Sequence, residues 1–167
     1  MPSLTAFMQW LEALPLAVFI HQTRWMFTAI EVVHVAAIVT VIGSIAMVDL
    51  RLLGIASTKR SFVEVARPVL PWTWAAFVLA AITGSLMFIS QASSYFGSTT
   101  FRIKMLVMVL AGINMLIFEF LTVRGVEAWN QKSVPPLPAR LAGGISLSAW
   151  VLVFIFGRLT GFSILPE

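Results

Sequence analysis

The chain has 167 residues, of which 59% are hydrophobic and 11% are charged. A soluble domain carries roughly twice that share of charge, and the mean hydropathy of +0.95 also indicates a membrane protein. The net charge of +4 does not predict a nucleic-acid partner, because the basic residues lie in short loops where lipid headgroups account for them. The absence of cysteine excludes disulfides, thiolate metal sites and iron–sulfur clusters.

The first predicted element is a short amphipathic helix over residues 3–14, lying in the membrane interface. Its large apolar side chains share one helical face, as is typical of an interfacial helix; they are Leu4, Phe7, Met8, Leu11 and Leu14. The segment has no positive n-region and is interrupted by Glu12 and Pro15. We therefore expect no cleavable signal peptide here.

Four apolar stretches, each long enough to cross a bilayer, follow this helix. They cover residues 25–48, 72–89, 105–123 and 141–156. Gly54 is expected to end the first helix, and Pro71 is expected to open the second after a loop over residues 57–69. The sequence thus predicts an all-α fold, a single domain of four transmembrane helices with the lipid bilayer as its partner.

The orientation follows from the positively charged residues on each side of the membrane. The loops after the first and third spans carry seven Lys and Arg residues, and the opposite side carries four, namely Arg24, Arg102, Lys104 and Arg158. Loops rich in Lys and Arg stay in the cytoplasm. We therefore predict a multi-pass protein of a bacterial inner membrane with both termini on the periplasmic side.

Three ionisable residues fall inside the predicted spans, where each costs roughly 2.5–3.5 kcal/mol to insert and needs a partner or a function. Glu31 and His34 lie in the outer half, three residues apart on one helix face, whereas Glu119 lies in the cytoplasmic half. A di-iron centre would need a second Glu-x-x-His pair, and the sequence has none. His21 is about 20 Å from His34 along a continuous helix, so the two cannot ligate one haem within a chain.

Two functional hypotheses and one structural hypothesis fit His34. In the first, His34 ligates haem b, small residues leave room for the macrocycle and outer basic residues neutralise the propionates; the residues concerned are His34, Glu31, Gly84, Met108, Gly112, Lys104 and Arg158. In the second, His34 with Met108 or Met87 binds copper. In the third, Glu31 pairs with Lys104 or Arg158, and His34 bonds a neighbouring helix through Ser or Thr.

The fourth predicted span carries a series of small residues that could pack closely against another helix. The series comprises Ala142, Gly143, Gly144, Ser146, Ser148, Gly157 and Gly161. Packing within the bundle and self-association into a homo-oligomer or larger membrane complex both satisfy this pattern. The sequence leaves the two alternatives open.

Several short motifs resemble a family of uncharacterised bacterial four-helix inner-membrane proteins. They are the run 31–34 (EVVH), the segment 48–54 (VDLRLLG), the entrance 70–74 (LPWTW), and Lys104 with 111–114 (AGIN). The resemblance covers nearly the whole chain and implies the fold and the membrane location, but no catalytic residue. A looser similarity extends to CopD-like copper-resistance membrane proteins and to small haem-b membrane anchors.

Taken together, these features predict a small membrane protein that holds haem b or a transition metal through His34, in electron transfer or metal handling. The alternative is a non-catalytic scaffold or accessory subunit in which Glu31, His34 and Lys104 form a structural polar network. We identify no nucleophile with a positioned base, so no catalytic residue is assigned.

Overall fold

The computed structural model describes residues 2–23, 25–132 and 134–164 and shows an all-helical chain in those ranges. The predicted fold class is confirmed. The elements are α1 (Pro2–Glu12), α2 (Pro15–Gln22), α3 (Met26–Leu52), α4 (Phe62–Ser90), α5 (Ala92–Gly97), α6 (Thr99–Ile117), a π-helical turn (Phe118–Thr122), a 3-10 segment (Val123–Ala128) and α7 (Leu137–Ile164).

Four helices are long and apolar enough to cross a membrane, and they fit a multi-pass membrane protein. They are α3, α4, α6 with its π-helical extension, and α7. The N-terminal pair α1 and α2 is bent by 66° and could count as a fifth, broken span. Pro15 begins α2. A proline has no backbone N–H to donate and suits the first turn of a helix, so its position favours a new helix start there.

The helices extend beyond the predicted spans, and the largest extension at a single end is at the start of α4. This helix begins at Phe62, so the prediction that Pro71 opens the span is wrong, and Pro71 lies inside the helix. Ser61 caps the start by accepting from the Glu64 amide, while the Glu64 carboxylate accepts from the Ser61 amide. This reciprocal capping box fixes the start of α4 within the segment expected as a loop.

Gly54 ends α3 as predicted. Its φ of 74° lies in the left-handed region that glycine adopts without a Cβ penalty. The third and fourth spans also begin earlier than expected. Ser98 caps α6 by accepting from the Phe101 amide, and α7 starts at Leu137 and continues to Ile164.

The four long helices lie in the spatial order α4, α3, α7, α6. Helix α3 packs along α4 and α7, and α6 packs along α7, whereas within the described residues no Cα of α4 comes within 8 Å of one on α6. Gly143 allows the closest approach of α7 to α3, because a Cβ there would lie 2.8 Å from the Leu52 Cβ and 3.1 Å from the Asp49 carbonyl oxygen.

Packing within the bundle occupies much of the small-residue face of α7. Ala142 and Ala149 are buried, Gly143 meets α3, and Gly157 meets the Lys104 side chain of α6. Gly161, by contrast, faces open space. Several of the small residues therefore contact other helices of the same chain, and self-association stays a prediction.

The two ends of the bundle differ in construction. We call the end that holds α1, α2 and α5 the terminal face, and the end that holds the connections 53–61 and 129–136 the loop face. A compact cluster of buried side chains closes the loop face, comprising Leu52, Phe62, Ala66, Trp129 and Ala139. Asn130 ties the second of these connections to the start of α4, since its backbone and side-chain oxygens accept from the Phe62 and Val63 amides.

Candidate functional site

His34 lies half-buried on α3 and makes a hydrogen bond to α4. Its Nδ1 is 2.9 Å from the Thr83 Oγ1, and that hydroxyl donates to the Leu79 carbonyl oxygen at 2.7 Å. A hydroxyl has one proton to give, so while Thr83 donates to Leu79 it accepts from Nδ1–H, which corresponds to the Nδ1-protonated tautomer of His34. In that tautomer Nε2 carries a lone pair and no proton.

Gly84 forms a recess in α4 that the His34 ring itself fills. A Cβ added at Gly84 would lie 2.9 Å from Cε1 and 3.5 Å from Nδ1 of the imidazole, closer than a relaxed contact permits. At a rise of about 1.5 Å per residue the sequence places Thr83 and Gly84 at the depth of His34, and the structure brings both against its ring. The space expected beside Gly84, however, is taken by the imidazole and is not free for a macrocycle.

Lys104 brings a positive charge from α6 towards the same region. Its stem lies over Gly157 of α7, whose added Cβ would be 3.8 Å from the Lys104 Cε, and Nζ is 5.9 Å from the Phe101 ring centroid. Lys104 also interacts electrostatically with His34. These surroundings suit Lys104, because a lysine can bury its aliphatic stem against another helix while its ammonium group interacts with an aromatic ring and a polar neighbour.

Glu31 lies one helical turn from His34 and interacts electrostatically with Tyr95 of α5. Tyr95 packs against Phe88 and Phe101, with ring centroids 6.3 and 5.4 Å away. Burial, and secondarily the Glu31 charge, raise the pKa of Tyr95 to about 12. This aromatic cluster links α4, α5 and α6 on the terminal face.

The cluster was not predicted from the sequence. Tyr95 is the single tyrosine of the chain, and its place in a polar connection between two spans was the one signal available. Aromatic residues at membrane interfaces are common enough that this signal does not identify a partner.

The remaining predicted site residues lie at different distances from this arrangement. Met87 and Met108 are half-buried on α4 and α6. Gly112 is exposed, and a Cβ added there would meet no atom within 4 Å. Arg158 is exposed as well, with its guanidinium 4.8 Å from the Phe162 ring centroid. The structure thus brings Gly84 and Lys104 to His34, whereas Gly112 and Arg158 face outward.

The other polar residues singled out in the sequence lie apart. His21 is exposed on α2 and Glu119 is exposed on the π-helical turn. Asn114 donates to the Ala142 carbonyl oxygen at 3.0 Å, a bond from α6 to the backbone of α7. Within the ranges that the structure describes, no three His, Asp or Glu residues come together in a group that could hold a metal ion.

A buried arginine at the loop face also escaped the sequence prediction. Arg51 is 0% exposed, with Nε donating to the Arg60 carbonyl and Nη2 to the carbonyls of Asn130 and Lys132. Arg51 therefore ties the two loops to the end of α3. From the sequence, Arg51 was only one of the seven basic residues counted after the first and third spans, because sequence does not reveal which loops fold over it.

The His34 region can offer one imidazole nitrogen, a nearby cation and a small aromatic cluster on the terminal face. Comparison of the chain with protein-family models, with curated proteins and with solved structures finds no match. No relative therefore supplies a role for His34, Lys104 or Tyr95.

Proposed function

We propose that this chain is an inner-membrane protein that holds a haem b group through Nε2 of His34 and serves in electron transfer. A copper ion held by His34 with Met108 or Met87, in metal handling, is the second form of the same proposal. The observation that carries it is the Thr83 hydrogen bond to Nδ1. Histidines that bind metals almost always donate their other ring N–H, which fixes the ring and its tautomer.

Two features of the donor side chains suit a haem, although the Gly84 recess is filled by the imidazole itself and offers a macrocycle no room. The Nδ1–H of His34 is already committed to a hydroxyl acceptor, and Lys104 supplies a positive charge close enough to interact with the imidazole, as propionate groups require. A bound haem supplies one-electron chemistry. His34 would hold it, Thr83 would orient the imidazole and Lys104 would balance the propionate charge. Any further ligand would come from a non-histidine side chain or from a second copy of the chain.

The orientation belongs to the same proposal. The loop face carries the larger number of Lys and Arg residues in the sequence, seven against four, and such loops remain cytoplasmic. His34 would then lie in the periplasmic half of the bilayer. Fusing a reporter active only in the periplasm to the C-terminus tests this orientation directly, and a reporter that works only from the loop face would reverse it.

The ligand assignment is tested by absorption spectroscopy and metal analysis of the purified full chain. We expect a Soret band that shifts on reduction with dithionite, or stoichiometric copper. His34→Ala should remove the signal, and His21→Ala, which changes the other histidine at an exposed position on α2, should keep it. A full cofactor complement in His34→Ala would refute the assignment.

The second candidate function is a non-catalytic scaffold or accessory subunit. It is favoured by the fit of the His34 ring into the Gly84 recess, since that contact and the Thr83 bond already give the imidazole a structural role. A wild-type protein that purifies without haem and without stoichiometric metal would support this candidate over the first.

A further inference from the structure

A long groove runs along the outside of the bundle between α6 and α7. It has a volume of about 660 Å³. Its lining is apolar except at two positions, and comprises Leu53, Val107, Leu110, Leu137, Arg140, Leu141, Gly144, Ile145, Ser148, Ala149 and Leu152. Arg140 is the single charged residue among them.

The groove has the length of one membrane leaflet. Its α7 residues run from Leu137 to Leu152, which at about 1.5 Å per residue is roughly 22 Å. One half of the hydrocarbon core is about 15 Å deep. A groove that starts at the loop face and follows α7 therefore reaches from the headgroup region to about the middle of the bilayer.

Gly144 gives the groove its depth. A Cβ added at Gly144 would have as its nearest neighbour the Leu53 Cδ2, at 3.6 Å, so the backbone of α7 forms the floor there. Leu141 and Ile145 flank this position and are exposed. The result is a concave apolar surface and not the convex surface of an ordinary lipid-facing helix.

The charge is confined to one end. Arg140 is exposed in the first turn of α7, at the loop face, where the positive end of the helix dipole adds to its own charge. A cation at the mouth of an otherwise uncharged slot matches an amphiphile with an anionic head and a single apolar chain lying behind it. Basic side chains beside transmembrane helices bind anionic lipid headgroups in the same way.

We propose that the groove binds an anionic phospholipid, with the headgroup phosphate at Arg140 and one acyl chain along α7 over Gly144. The proposal is independent of any cofactor at His34, because the groove lining shares no residue with that site. The proposed occupant is a lipid of the loop-face leaflet. A protein helix suits the groove less well, because its side chains would have to pack against the charged Arg140.

The experiment uses the full chain in phosphatidylcholine nanodiscs, titrated with fluorescent phosphatidylglycerol or fluorescent phosphatidylcholine. We expect phosphatidylglycerol to bind preferentially. Arg140→Gln should weaken its binding by about five-fold, the effect of one basic residue near the membrane surface. Arg67→Gln, which removes an exposed charge outside the groove, should leave binding unchanged.

The apolar part is tested separately by filling the groove. Gly144→Leu and Ser148→Leu should each reduce the binding of both lipids, whereas Gly161→Leu, at an open position of the same helix, should not. Equal effects of the Arg140 and Arg67 variants, or of the Gly144, Ser148 and Gly161 variants, would overturn the proposal. Competition by inorganic phosphate alone would show a simple anion site and would overturn it as well.

Discussion

Replacing Gly84 by alanine tests the packing of the His34 region most directly. The new methyl group would lie 2.9 Å from the His34 Cε1, a distance that requires movement. The imidazole is not a freely moving chain end, because its Nδ1 is bonded to Thr83. Either the ring stays and the contact is strained, or the ring moves and the hydrogen bond is lost.

Both outcomes cost a similar free energy. Overpacking a well-filled site costs about 1–3 kcal/mol, and leaving a buried donor without its acceptor costs about 1–3 kcal/mol. Alanine in place of glycine within a helix returns up to about 1 kcal/mol. Gly112→Ala gives the same propensity gain at a position with no atom within 4 Å of the added Cβ, so the propensity terms cancel between the two variants.

We therefore expect Gly84→Ala to be about 1–3 kcal/mol less stable than Gly112→Ala. Reversible unfolding in mixed micelles, followed by circular dichroism, measures the difference between the two proteins. Ring nitrogen chemical shifts show whether the His34–Thr83 bond survives. Equal stability of the two variants, together with an unchanged imidazole spectrum in Gly84→Ala, would refute the close packing of His34 against α4.

Three further predictions concern the polar contacts. Thr83→Val should cost about 1–3 kcal/mol and release the imidazole from a single tautomer, and an unaltered ring-nitrogen spectrum would contradict the assigned hydrogen bond. The absorbance of the Tyr95 tyrosinate should titrate near pH 12, above the usual pKa of about 10. Because the pKa of Tyr95 is raised in the folded state, its contribution to folding stability is present below about pH 10 and is lost as the pH rises towards 12. Glu31→Gln should move this midpoint down, and a wild-type midpoint at 10 would show that Tyr95 is not buried beside a charge. Arg51→Met should lower the free energy of unfolding by at least about 3 kcal/mol, since three carbonyls lose a charged donor. The control Arg67→Met, at an exposed position, should change it by no more than about 0.5 kcal/mol. Equal values for the two variants would contradict the role of Arg51 in joining the loops to α3.

The proposed cofactor function and the scaffold alternative diverge in their response to these changes. Under the cofactor proposal, Thr83→Val also lowers haem or metal affinity by about 10–100-fold, the usual effect of losing the partner of a ligating histidine. Under the scaffold alternative, the same variant alters stability alone. Measuring stability and cofactor content on one preparation therefore distinguishes a structural histidine from a ligand.

The start of α4 shows where the sequence was informative but was interpreted incorrectly. Ser61 and Glu64 have the spacing of a capping box, yet Pro71 favoured a loop followed by a later helix start. The structure accommodates Pro68 and Pro71 inside α4. Local capping overrode the usual effect of proline, because a hydrogen-bonded first turn was already formed ahead of it.

The sequence by itself determined that the chain is helical and that four helices are long and apolar enough to span a membrane. Backbone groups in a hydrocarbon interior have no water to bond, so long apolar stretches must become helices, as α3 and α7 did. The rise per residue then placed Thr83 and Gly84 level with His34. The glycine after α3 was equally readable, because Gly54 takes a left-handed φ that other residues avoid.

The tertiary structure alone decided which of the residues at one depth meet. Helical periodicity gives each residue a face, but the rotation and neighbours of each helix depend on packing along its whole length. Gly84 consequently contacts the His34 imidazole, while Gly112 stays open. Lys104 lies over Gly157, while Arg158 faces outward. Arg51 is enclosed by two loops that are distant from each other in sequence. Contacts between separate helices arise from the sum of many weak packing terms, and no local pattern encodes that sum.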